Sequence, residues 1–374
     1  MIYLDYAATT PLDPEVKAAM QGVLDEYGNP SSIHLFGRRA RSLLEEGRER
    51  LARALGAQPR ELILTSGGSE ADALALYGVA LARGRGHLVS TAVEHSAVLL
   101  ALKGLERLGF EVTLLQPDRY GLVYPEQVAE AIRSDTVLVS VMTVNNELGT
   151  LYPIREIAEV CRARGVLFHT DAVQALGSVP CSIATLGADL ISLAAHKFYG
   201  PKGVGSLYVR KGIELFPLVP GKQEQGYRGG TENLLAVFGQ GLAAEKAVAL
   251  LAEESQRLRA LRDRLQSRLL ALPGVELNGH PTLRSPKHLN VTVRAADGEG
   301  LLLNLDLLGV AVSSGSACSS GSLEPSHVLL AIGRSKEEAK ASVRFSLGRF
   351  TTEAEIEQAA RAFAEAVERS RAFA

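Results

Sequence analysis

Tryptophan is absent from this 374-residue chain, and cysteine occurs three times. Three cysteines cannot build a disulfide framework, and their spacing matches no zinc pattern, so no metal site is expected. No apolar run is long enough to span a bilayer, and the N-terminus, Met1-Ile2-Tyr3-Leu4-Asp5, lacks the basic start and apolar core of a signal peptide. Charge of one sign is also missing. Forty basic residues face forty-two acidic ones, for a net charge of −2. A nucleic-acid or membrane-surface partner therefore has no electrostatic support. The expected compartment is the cytoplasm. What remains is an ordinary globular composition, 46% hydrophobic and 22% charged, long enough for two domains.

From 61 to 209 apolar runs alternate with helical stretches. Strands are expected at 61–65, 87–91, 110–115, 136–142, 166–170, 189–193 and 203–209. Continuous apolar strands separated by helices predict an α/β fold, a mostly parallel seven-stranded sheet with helices on both faces. Before it, helices are expected at 14–27 and 39–55. After it comes a helix-rich connector, 232–272, closed by Pro273-Gly274. The C-terminal part reads as smaller and α+β, with strands at 288–293 and 342–346 and helices at 300–308, 325–332 and 353–373. Residues 1–12 are too short to fold alone. They are grouped with 251–374 as a small domain beside a large one at 13–250.

The chemistry centres on two strand ends. Asp171 closes one apolar run, in Asp171-Ala172-Val173-Gln174, and His196-Lys197 follows the next. Two strands of a parallel sheet would bring both to the edge where α/β proteins bind ligands. An acid and an amine there suit pyridoxal 5′-phosphate (PLP): the lysine forms a Schiff base and the carboxylate keeps the pyridine nitrogen protonated. A salt-bridged Asp and a solvated Lys are the plainer alternative. Ser66-Gly67-Gly68-Ser69-Glu70 turns from a strand into a helix. Small residues and free N–H groups at a helix start suit a phosphate, although a tight capped turn has the same composition. His95 follows a strand end, where an imidazole can stack on a ring or move protons, or simply start a helix. Asn145-Asn146-Glu147 ends another strand, with amides that suit a ring oxygen or a turn. Arg344 sits on a short strand, and a guanidinium grips a carboxylate with two parallel bonds, or forms an ion pair.

Cys318 stands in Ser313-Ser314-Gly315-Ser316-Ala317-Cys318-Ser319-Ser320-Gly321-Ser322, where eight of ten residues are Ser or Gly. That is loop composition and poor packing context, so Cys318 is a candidate nucleophile. Cys161 and Cys181 read as structural.

Taken in order, these motifs resemble the cysteine desulfurases of the IscS/NifS type, within the class-V aminotransferase group of fold-type I PLP enzymes. The resemblance runs from Tyr3-Leu4-Asp5-Tyr6-Ala7-Ala8-Thr9-Thr10-Pro11 to Arg344-Phe345-Ser346-Leu347-Gly348-Arg349-Phe350-Thr351. It includes Asn29-Pro30-Ser31-Ser32, Arg228-Gly229-Gly230-Thr231-Glu232-Asn233 and Leu323-Glu324-Pro325-Ser326. It implies a PLP enzyme that converts L-cysteine to L-alanine and leaves the sulfur as a persulfide on Cys318. Lys197 would carry PLP and move the Cα proton. Asp171 would pair with the pyridinium nitrogen, and His95 would stack on the ring as acid and base. Asn146 and Gln174 would bond the ring oxygen. Gly68, Ser69 and His196 would hold the phosphate, with Thr231 reaching across from the partner of a homodimer. Arg344, with Asn146, would bind the substrate. Acceptors such as an iron–sulfur scaffold would take the sulfur. Ala194 and Ala73 stand where the family usually has a hydroxyl and an Asn.

Overall fold

The computed structural model describes residues 1–314 and 324–372. Its strands, in chain order, are β1 (Ile2–Tyr3), β2 (Leu62–Thr65), β3 (His87–Thr91), β4 (Glu111–Leu115), β5 (Thr136–Ser140), β6 (Leu167–Asp171), β7 (Leu190–Ala194), β8 (Gly205–Val209), β9 (Val275–Asn278), β10 (His288–Val293), β11 (Val310–Ala311) and β12 (Ser342–Ser346).

Seven of them form one sheet in the order β2-β8-β7-β6-β5-β3-β4. Its pairs are parallel except those of β8, which runs antiparallel to both neighbours. The antiparallel strand follows from chain length. Residues 195–204 between β7 and β8 are too few for the crossover that a parallel return needs. Every residue of β2, β3, β7 and β8 is buried, which is why these strands read as unbroken apolar runs rather than alternating ones. Helices cover both faces. Leu35–Leu55 packs against Leu234–Ala249, and Gly68–Arg83 against Ser96–Arg107.

A second core lies around the antiparallel sheet β12-β10-β9, covered by helices Leu251–Leu270, Gly298–Leu307 and Glu353–Arg371. The N-terminal segment belongs to this core through Leu4, which is fully buried there. β1 pairs in parallel with β11, and Tyr6 N donates to Ser346 O at 3.2 Å. Val328, Leu329 and Ala339 instead pack into the core of the large sheet. Arg349 joins the two units. It bonds Glu254, bonds Asp13 at 2.5 Å, and lies 4.2 Å above the Tyr199 ring.

Some boundaries differ from the sequence reading. The first helix ends at Gln21 rather than 27. The connector is two helices, Leu234–Ala249 and Leu251–Leu270, bent by 71° at Leu250. The helix expected at 325–332 starts at His327, because Ser326 caps it by accepting from Leu329 N at 3.2 Å. β9 was not anticipated; it is an edge strand held by β10 alone.

Candidate active site

Asp171 ends β6, and its register partner on β7 is Ser192, so the chain leaving β7 delivers Lys197 to the same edge. The edges of β3 and β5 supply His95 and Asn146. The four segments meet at a cavity of about 490 Å³, also lined by Gly68, Ser69, Asp72, Glu147, Gln174, His196, His327 and Arg344. This is the carboxyl edge of the parallel strands, where α/β sheets present their loops to ligands.

Lys197 Nζ donates to the carbonyls of Ala7 and Ala8 at 2.5 and 2.8 Å. The N-terminal segment therefore closes one side of the cavity and aims the amine. Asp171 is 5% exposed, and its Oδ1 accepts from Val173 N at 2.8 Å. Burial holds its carboxyl above the usual range, with His95 and Lys197 pulling the other way. A cationic ring nitrogen beside it would remove that penalty.

His95 caps the helix Ser96–Arg107, with Nδ1 accepting from Ala97 N at 3.2 Å. The cap fixes the ring and leaves Nε2 as the protonated edge of the neutral imidazole. Capping and cavity-facing roles are thus both met by one side chain. His196 is set by Thr9 Oγ1, 3.1 Å from its Nδ1, and burial pushes it down to about 4. It is a neutral donor at physiological pH. Gly68 is a close approach: a Cβ there would lie 2.7 Å from Val173 Cγ2 and 3.4 Å from the Ala194 methyl.

Arg344 is 1% exposed. Its Nη1 donates to Asn146 O and its Nη2 to Asp5 Oδ1, both at 2.8 Å, while Nε has no partner. The arginine is a buried, aimed donor rather than a surface ion pair. Asn146 Oδ1 and Gln174 Oε1 are also buried without partners. Gln174 Nε2 donates to Ala7 O at 2.8 Å, so in this conformation the amide offers the cavity an acceptor, whereas a ring oxygenate needs a donor.

Thr231 is exposed and does not line this cavity. Its segment is tied to the Gly68 turn through Arg228, whose Nε donates to Glu70 Oε1 at 2.9 Å. Cys318 lies outside the described residues. Cys161 and Cys181 are buried, and burial pushes both thiols up to about 12, which suits packing and not nucleophilic work.

The chain matches the class-V aminotransferase family over residues 2–359. The chain belongs to the class-V aminotransferase family. It is 49% identical to the cysteine desulfurase IscS of Dictyoglomus turgidum, covering 95% of this chain and 91% of that one. It is 46% identical to the cysteine desulfurase IscS of Methanosarcina thermophila, covering 99% and 93%. Among solved structures it superposes on a NifS-like protein with a TM-score of 0.92 at 34% identity, over 98% of this chain and 99% of that one. SspA in complex with cysteine gives a TM-score of 0.84 at 36% identity, over 94% and 100%.

Class-V aminotransferases use PLP, and the cavity fits it. A half-buried amine and a buried acid stand on adjacent segments, a helix start opens at a glycine with no room for a side chain, and the neutral imidazole of His196 lines the same cavity.

The sequence reading gave no role to several residues that the fold brings here. Glu94 is fully buried and pushed up to about 8 by burial, with Oε1 accepting from Thr91 Oγ1 and Met142 N. Ser326 donates to the Glu147 carboxyl, and His327 Nε2 donates to Glu94 O at 3.0 Å. Lys287 is 6% exposed, and burial lowers it to about 7, with Lys197 and Arg344 adding to the shift. Asp72 also lines the cavity, and nothing along the chain marks it, because its helix Gly68–Arg83 carries Glu70 and Arg83 as further charges.

Proposed function

We propose that the protein is a PLP-dependent cysteine desulfurase that converts L-cysteine to L-alanine and passes the sulfur to Cys318. The observation that carries this is the single cavity in which the Lys197 amine, the buried Asp171 acid, the His95 imidazole and the Arg344 guanidinium converge from separate segments. Relatives named cysteine desulfurase, 46–49% identical over almost the whole chain, support the substrate.

PLP, when bound, supplies an electron sink that labilises the substrate Cα proton. Lys197 holds it and accepts or returns that proton. Asp171 keeps its ring nitrogen charged. Gly68 and Ser69 offer backbone N–H groups to its phosphate, and His196 adds a neutral donor. Arg344 Nε reaches for the substrate carboxylate while Asp5 and Asn146 hold the guanidinium plane. His95 moves protons at the substrate end. In the sulfur step the substrate C–S bond breaks and an S–S bond to the Cys318 sulfur forms. L-cysteine plus the Cys318 thiol thus yields alanine plus a persulfide, with no outside oxidant. We further propose a cytoplasmic homodimer in which Thr231 completes the partner's phosphate site, and a sulfur acceptor such as an iron–sulfur scaffold protein.

The test is peptide mass spectrometry after L-cysteine without reductant. One added sulfur on the Cys318 peptide, with alanine released in step, is expected. Alanine without added sulfur would replace the persulfide route by direct elimination. Neither product would overturn the activity.

A further inference from the structure

Arg344 is aimed partly by a main-chain atom: its Nη1 donates to Asn146 O at 2.8 Å. That carbonyl sits in the turn that leaves β5. Asn145 organises the turn, with Oδ1 accepting from Glu147 N at 3.0 Å and Leu148 N at 2.9 Å, and Nδ2 donating to Val93 O at 2.9 Å. The Asn146 carbonyl and the Glu147 N–H belong to one planar peptide. Whatever holds Glu147 therefore holds the carbonyl that supports Arg344.

Glu147 lines the cavity and is 2% exposed. Among the described residues, one side chain donates a hydrogen bond to its carboxyl, the hydroxyl of Ser326. A carboxyl this buried depends on its donor. Ser326 is buried too, and its own place is fixed. It caps the helix His327–Ala331 by accepting from Leu329 N at 3.2 Å. The next side chain, His327, donates from Nε2 to Glu94 O at 3.0 Å, and Val328 and Leu329 are fully buried in the core of the large sheet. The start of this helix is thus pinned to both walls of the cavity, to the turn after β5 through Glu147 and to the segment after β3 through Glu94. Capping alone uses only the lone pairs of a serine hydroxyl. Here the proton of the same hydroxyl is given to a cavity wall.

We propose that Ser326 is a positioning residue for substrate binding. Its hydroxyl holds Glu147, Glu147 holds the Asn146 peptide, and that peptide aims Arg344 at the substrate carboxylate. This rests on the reading of Arg344 as the carboxylate grip. Asp5 still holds Nη2 at 2.8 Å when Ser326 is altered, so the grip loosens rather than disappears.

Three variants separate positioning from capping. Ser326→Ala removes both the cap and the donor. Ser326→Asp keeps a capping acceptor but offers no proton to Glu147, and Ser326→Thr keeps both. KM for L-cysteine is expected to rise about tenfold in Ala and Asp, with kcat per bound PLP within about threefold of wild type, the signature of lost ground-state binding. Ser326→Thr should stay within about threefold of wild type in KM. The dissociation constant of L-alanine, read from the cofactor absorbance, should rise in step with KM, because the product carries the same carboxylate. An unchanged KM in Ser326→Ala would overturn the proposal. So would an Asp variant that matches wild type while Ala does not, since capping alone would then explain Ser326. If Ser326→Asp fails to fold, the Ala and Thr pair and the L-alanine titration still decide. Wild-type protein that releases no alanine from L-cysteine would sink the desulfurase reading itself, a separate result from an unchanged KM in active protein.

Discussion

The two edges of the large sheet carry the same residue types in opposite states. At the amino edge of its parallel strands, Arg133 bonds Asp135 and Glu111 on the outside of the molecule, with side chains 43%, 50% and 68% exposed. At the carboxyl edge, Asp72, Glu94, Glu147 and Asp171 are all at most 5% exposed, and burial raises every one of them above the ordinary carboxylate range. Water screens the first set, so its ion pairs do little for the fold. The second set has lost its water, and burial favours its neutral forms until a cation is brought beside it. The sheet thus has a solvated end and a reactive end, and desolvation rather than composition separates them.

Removing the amine from the reactive edge tests this contrast most severely. Lys197→Ala should abolish the yellow cofactor band of the purified protein and lower alanine formation by on the order of 10³-fold or more. Retained colour and turnover would break the assignment of the two edges.

A pH measurement sharpens the contrast on the stability side. The folded-state value of Glu94 is raised to about 8, above that of the unfolded chain. At intermediate pH the folded protein therefore binds a proton that the unfolded chain has lost, and stability falls as pH rises toward 8. Glu94→Gln removes this group. Relative to wild type it should gain stability from pH 5 to pH 8, at up to about 1.4 kcal/mol per pH unit, in urea unfolding. A pH-independent difference would show that Glu94 ionises normally.

The smallest effect belongs to the solvated edge. Arg133→Met removes the cation of two ion pairs, yet the urea midpoint and cysteine turnover should both stay within error. A clear loss would mean that this edge is not the inert one.

Much of this was legible along the chain. The seven strands of the large sheet were visible as short runs rich in apolar and β-branched residues, most of them buried. Asp171 and Lys197 were paired because each follows such a run. β9 was not visible: Val275-Glu276-Leu277-Asn278 is four residues long and exists only because β10 pairs with it. The break at Leu250 was hidden in a composition that favours helix on both sides of it.

The sequence by itself determined most of the succession of strands and helices along the chain, the glycine-rich turn at Gly68, and which strand ends carry an amine, an acid and an imidazole. These are local properties, set by periodicity, by turn chemistry and by the residue just past each apolar run. The tertiary structure decided which polar groups lose their water. Along the chain Arg344 is a carboxylate-binding candidate or one half of an ion pair, and only the fold buries its guanidinium, with Asp5, 339 positions away, bonded to it. Asp72, Glu94 and Lys287 look like solvated charges until the helices and both cores pack around them. Burial is a sum over segments far apart in the chain, and that sum gives an ordinary carboxylate or amine its altered proton affinity.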